Sequence, residues 1–107
     1  MTAAYELNQK MQVLWQKYLP EMHARLGTVH SAVEALSDGS LSHELRNAAA
    51  NAAHKLAGSL GTFGVHEGSV AAHEIERLLS ARTIFSESEI LRLQELASQL
   101  QREVENR

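Results

Sequence analysis

Ala52-Ala53-His54-Lys55-Leu56-Ala57-Gly58-Ser59-Leu60-Gly61-Thr62-Phe63-Gly64 is the stretch on which the reading of this chain turns. Placed on a helix that begins near Ser42 and advanced about 100° per residue from Leu45, it sorts into two unlike sides. Ala48, Ala49, Ala52, Leu56, Leu60 and Phe63 fall within roughly 60° of Leu45 and make a core-facing stripe. His54 falls at about 180°, surrounded by Asn47, Ala50, Asn51, Ala57, Gly58 and Gly61. A solvated helix face usually carries Lys, Glu, Gln and Arg, which form helices well and keep the surface wet. This one is short and uncharged, with one imidazole at its centre. A glycine at position 58, one turn beyond His54, costs a helix interior about 1 kcal/mol relative to alanine. A face built this way suits close approach by a second protein.

Outward from that stretch the chain divides at its few glycines and its one proline. Thr2 can cap a first helix near Ala3. Leu7, Met11, Leu14, Tyr18, Met22, Leu26, Val29, Val33 and Leu36 then recur by threes and fours. Pro20 interrupts the stripe, because proline lacks the amide proton and clashes with the carbonyl of Gln16. The expectation is a helix over about 3–19 and another over about 20–38, separate or joined as one kinked rod, with Gly39 as a left-handed stop. Trp15, Met11, Met22 and Tyr18 cluster around the proline and read as core. Ser42 caps a helix over about 42–60. Gly61 to Gly64 turn the chain into a third helix over about 66–80, where Gly68 and Ala72 are small enough for close helix packing. Ser86 and Glu89 form a capping box, and Phe85 and Ile90 a hydrophobic staple, for a last helix over about 87–105. With no alternating strand pattern, the expected fold is all-α: an antiparallel four-helix bundle with an additional N-terminal helix, one domain over residues 1–107.

Composition excludes several classes of function. With Cys 0, disulfides, thiolate catalysis and Cys-ligated zinc are out. A net charge of −3 gives no basic face for nucleic acid. No apolar run approaches the roughly 18 residues of a membrane span, and no secretory leader pattern opens the chain. A soluble, cytoplasmic protein is expected, with neither membrane nor nucleic-acid partners. Six histidines raise the question of metal. The helical ligand spacings His-x-x-x-His and Glu-x-x-His are absent, and no metal site is expected. No Walker loop, Gly-rich nucleotide fingerprint or acidic metal cluster occurs either.

His54-Lys55-Leu56-Ala57-Gly58-Ser59 followed by Phe63-Gly64 resembles the histidine phosphotransfer (HPt) domain of two-component signalling, whose signature is His-x-Leu-Lys-Gly on a helix. The run Gly61-Thr62-Phe63-Gly64 looks especially like the phosphotransfer domain of chemotaxis histidine kinases. The resemblance implies that His54 accepts a phosphoryl group and exchanges it with a receiver-domain aspartate or a sensor histidine kinase. It implies no cofactor of the domain's own, since the kinase brings ATP and the receiver brings Mg²⁺. In the chemotaxis-kinase domain a histidine and a glutamate support the phosphoacceptor, and the matching positions here are His73 and Glu76. The family lysine three residues after the histidine is Ala57 in this chain, and the nearby cation is Lys55. The docking face for the partner would be Asn47, Ala50, Asn51, Ala57, Gly58 and Gly61. On this reading the domain is a carrier rather than an autonomous enzyme. The alternative from a different class is a non-catalytic helical interaction or dimerisation module.

Overall fold

A computed structural model describes residues 3–106. Four α-helices account for most of them: α1 (Ala3–Ser37), α2 (His43–Thr62), α3 (His66–Ala81) and α4 (Glu87–Glu105). Among the described residues there is no strand. α2 packs on α1 and α3, and α4 closes the bundle against the same two helices. Cross-links between α2 and α3 fix their sense. Ser69 donates from Oγ to the Ala57 carbonyl at 2.8 Å, and Arg46 donates to the Leu79 carbonyl at 2.8 Å. As the α2 number falls the α3 number rises, so the two run antiparallel.

The helix boundaries have local chemical causes. Ser42 accepts from the Leu45 amide at 3.0 Å and satisfies one of the donors left free at the start of α2. Ser86 and Glu89 form the full reciprocal capping box at the start of α4. Two helices stop in the same way, on a glycine with positive φ. At Gly39 (φ 73°) the Ser40 amide reaches back to the Ala35 carbonyl. At Gly64 (φ 76°) the Val65 amide reaches the Leu60 carbonyl while the Gly64 amide bonds to Gly61. Both are Schellman closures, and only a residue without a Cβ enters that left-handed region at little cost. The proposed cap Thr2 lies outside the described residues.

Of the two expectations for the N-terminal segments, separate helices or one rod, the single rod is found. Residues 3–19 and 20–38 are not two helices but one, α1, which passes straight through Pro20. The proline is exposed and lies about 180° round the helix from Val29, which is fully buried. On that outer side the unpaired Gln16 carbonyl can turn to water, while buried Trp15 and Met22 hold the rod on either side. Thirty-five residues of helix span about 52 Å, close to the longest dimension of the molecule, 54 Å. The other helices are only about half as long, so the first turns of α1 run on beyond the bundle. Leu7, Val13 and Leu14 are exposed there, and Tyr18, read as core, is exposed as well. Trp15 begins the buried part of α1 and meets Phe63 edge-on at 5.2 Å between ring centroids.

The core stripe of α2 is also rotated from its expected place. Ala53 and Ala57 are buried, whereas Ala48 is exposed and Leu45 and Phe63 are only half-buried. The centre of burial therefore lies roughly 50° round the helix from Leu45, toward α3. The cause is the small-residue contact between these helices. A Cβ on Gly68 would stand 3.1 Å from side-chain atoms of Leu60 and Val65 and 3.2 Å from Glu103. With Gly68 and Ala72 buried at the seam, α3 comes close enough to cover the alanine flank of α2. Among the described residues no helix is long and apolar enough to cross a membrane.

Candidate functional site

That rotation brings His54 to the α2–α3 seam. With burial centred toward α3, the ring stands at the edge of the covered arc and reaches the neighbouring helix. His54 Nδ1 lies 2.9 Å from Glu76 Oε2, while the side chain is 64% exposed. Glu76, on α3, is 29% exposed and turns its other oxygen toward His73, whose Nδ1 is 3.7 Å from Oε1. His73 precedes Glu76 by three residues, so the two are neighbours on one helix face. A single carboxylate thus stands between two imidazoles, one from each helix.

The chemistry of the pair follows from donor and acceptor roles. An ionised carboxylate only accepts, so the ring nitrogen facing it carries the proton. Nε2 of His54 then holds the lone pair, and the ring is fixed in one tautomer with its nucleophilic nitrogen away from the carboxylate. A carbonyl of α2 and the C-terminal end of α3 are tied down by bonds between the two helices. Ser69 bonds to the Ala57 carbonyl, and Arg46 supplies the C-terminal end of α3 with the cation that its own last turn lacks. Neither Ser69 nor Arg46 is legible as part of the site from spacing. The one hint is Arg46 itself, a cation in the first turn of a helix, where the dipole favours acids.

The other expected site residues divide. Asn47, Asn51, Gly58 and Gly61 are exposed around His54, and Ala50 is half-buried. Ala57 is not on the open face: it is 1% exposed, covered by α3 for the reason given above. A family lysine at that position would have to leave the seam, which explains how alanine fits there. Lys55 is exposed but sits about 100° round α2 from His54, on the flank nearer α1. The two glycines differ in kind. A Cβ on Gly61 would meet Ser69 Oγ at 3.4 Å, whereas a Cβ on Gly58 would meet nothing within 4 Å. Nothing inside the molecule requires Gly58 to be glycine.

Among the described residues, no group of three or more His, Asp or Glu side chains is arranged to hold a metal ion. The family model for the Hpt domain matches residues 13–106. Comparison with curated proteins and with solved structures returns no match.

Proposed function

We propose, because this chain belongs to the Hpt domain family, that it carries a phosphoryl group on Nε2 of His54 between the partners of a two-component phosphorelay. Histidine phosphotransfer is what the family does; its assignment to His54 rests on the contact of that ring with Glu76. The observation that carries it is the 2.9 Å contact of His54 Nδ1 with Glu76. It leaves the opposite nitrogen with its lone pair, on a ring that a partner can reach.

Transfer from a receiver domain begins with the Nε2 lone pair attacking phosphorus in line with the bond to the receiver aspartate. That P–O bond breaks as the N–P bond forms, and the carboxylate leaves with the electron pair. Positive charge develops on the imidazole, and Glu76 offsets it from the far side of the ring. The return step reverses the same bonds. The domain's own share is orientation and charge, which is most of what phosphoryl transfer asks of a protein. Mg²⁺ and ATP come with the partners, a receiver domain and a sensor kinase, and the reading sets the protein in the cytoplasm with them. Around His54, Asn47, Ala50, Asn51, Gly58 and Gly61 form the surface on which the partner settles, with Lys55 at its margin.

The test is incubation with a phosphorylated receiver domain. The wild type should gain a phosphate that is labile in acid and stable in base, and His54→Gln should gain none above background. An unlabelled wild type would refute the reading. A second reading, a helical interaction module, is favoured by one observation: the exposed apolar side chains on the first turns of α1. The same experiment separates them, since a pure interaction module takes no phosphate.

A further inference from the structure

The Glu76 carboxylate has two oxygens and both face an imidazole. Oε2 takes the Nδ1 of His54 at 2.9 Å, and Oε1 faces the Nδ1 of His73 at 3.7 Å. The two rings are equally open, at 64% and 61% exposed. They present the same atoms in the same order: carboxylate oxygen, Nδ1, then Nε2 beyond. The other histidines lack this. His43 has its Nδ1 3.1 Å from a donor nitrogen of Arg46, which occupies that lone pair. His30 is half-buried with its Nε2 out of solvent. His23 and His66 are exposed, and among the described residues neither has a carboxylate within ion-pair distance.

We propose that His73 is a second phosphoacceptor, oriented by the carboxylate that also orients His54, and that it takes phosphate when His54 does not hold Glu76. The inference rests on the reading of His54 as phosphoacceptor and extends it to a residue on the neighbouring helix. At 3.7 Å the His73 contact is longer than a hydrogen bond. His73 and Glu76 are three apart on α3, so modest side-chain rotation closes the gap once His54 releases its share. Simultaneous use is disfavoured, because two phosphoryl groups of about −2 charge each would flank one carboxylate. The site therefore holds one phosphate with two alternative seats.

A small-molecule donor isolates this chemistry from partner docking. With phosphoramidate, the His73 Nε2 lone pair attacks phosphorus while the donor's P–N bond breaks. Ammonia leaves with that electron pair, and the positive charge left on the ring is offset by Glu76. The experiment treats wild type, His54→Gln, His54→Gln/His73→Gln and His54→Gln/Glu76→Gln with phosphoramidate at neutral pH. Label is located on each histidine by NMR. In His54→Gln, His73 should label at least about tenfold faster than His23 or His66, equivalent to about 1.4 kcal/mol of barrier. Adding Glu76→Gln should remove that advantage, and adding His73→Gln should leave only the slow background. Equal labelling of His73, His23 and His66 in His54→Gln overturns the proposal.

Circular dichroism checks that the variants keep their helices. Should His54→Gln fail to fold, His54→Asn carries the same test. In that variant label on His73 ahead of His23 and His66 supports the proposal, and label reaching His23 or His66 as fast overturns it. The two readings fail separately. If His54 of the wild type labels no faster than His23 and His66, the His54 reading falls. If His54 leads and His73 in His54→Gln does not, only the present inference falls.

Discussion

Gly58 offers a perturbation in which stability and function should move in opposite directions. Glycine inside a helix is about 0.8–1.0 kcal/mol less favourable than alanine, because it loses more backbone freedom on folding. That gain is recovered in full only where the new methyl meets no obstacle, and at Gly58 nothing lies within 4 Å of a Cβ. Gly58→Ala should therefore raise the melting temperature, by about 4–6 °C for a domain of this size. Gly58→Leu should keep most of that gain. A leucine on a helix leans over the turn N-terminal to its own Cα, which here is the turn bearing His54. It would stand where a partner must settle to reach Nε2. Phosphoryl transfer from a receiver domain should fall at least about tenfold, or 1.4 kcal/mol in barrier. Thermal unfolding by circular dichroism and single-turnover transfer from a labelled receiver measure the two halves. An undiminished rate in Gly58→Leu, or a lower melting temperature in Gly58→Ala, would refute the reasoning.

Gly68→Ala should do the reverse of Gly58→Ala. Its Cβ would press on Leu60, Val65 and Glu103 at 3.1–3.2 Å, and overpacking of about 1–3 kcal/mol outweighs the helix gain of about 1 kcal/mol, which urea unfolding should show as a lower midpoint. Arg46→Ala removes the charged donor on the Leu79 carbonyl and should cost about 1.5 kcal/mol, with faster amide exchange at the end of α3 as the specific sign. Acid titration tests the α3–α4 contact. The hydrogen bond from Arg92 holds the Glu74 carboxyl below the usual carboxylate range. A lowered folded pKa contributes stability that is present above the unfolded value and is lost as pH falls through the folded one. Stability should thus decline below about pH 4, and Arg92→Gln should make that decline shallower while changing little at pH 7, where an exposed pair contributes little. The Glu89 carboxyl, held low chiefly by the Ser86 backbone amide, should keep its share of the decline in that variant.

Chemistry that acts within a few residues was legible in the sequence; chemistry that depends on a neighbouring helix was not. Ser42, Gly39 and the Ser86–Glu89 box satisfy backbone groups of their own helix, so their types and spacing suffice, and α4 begins where the box places it. Pro20 left two readings open because a proline's effect depends on which side of the helix it occupies. On the outer side of α1 it is tolerated, and the rod continues. Ala53 and Ala57 did mislead. Alanine is as common outside as inside, so a stripe computed from Leu45 is blind to a helix that covers the alanine flank. The spacing of His73 and Glu76 is visible in the chain, but nothing in the spacing says that Glu76 reaches across to His54. That contact exists because Gly68 and Ala72 let α3 approach, a matter of volumes at a seam rather than of pattern.

The Schellman closure at Gly64 bears on how the molecule comes together. His54 and Glu76 sit on consecutive helices joined by that tight turn, so their contact spans one helical hairpin and no distant part of the chain. Contacts of short sequence separation can form early, because little loop entropy is lost in closing them. α1 and α4 then serve the hairpin from outside, by covering its apolar sides. Fraying of the long first helix, or changes in its sequence, should leave the geometry at His54 largely undisturbed. A lineage can therefore rework one end of this molecule for new attachments while the two-helix unit that holds the His54–Glu76 contact passes on intact.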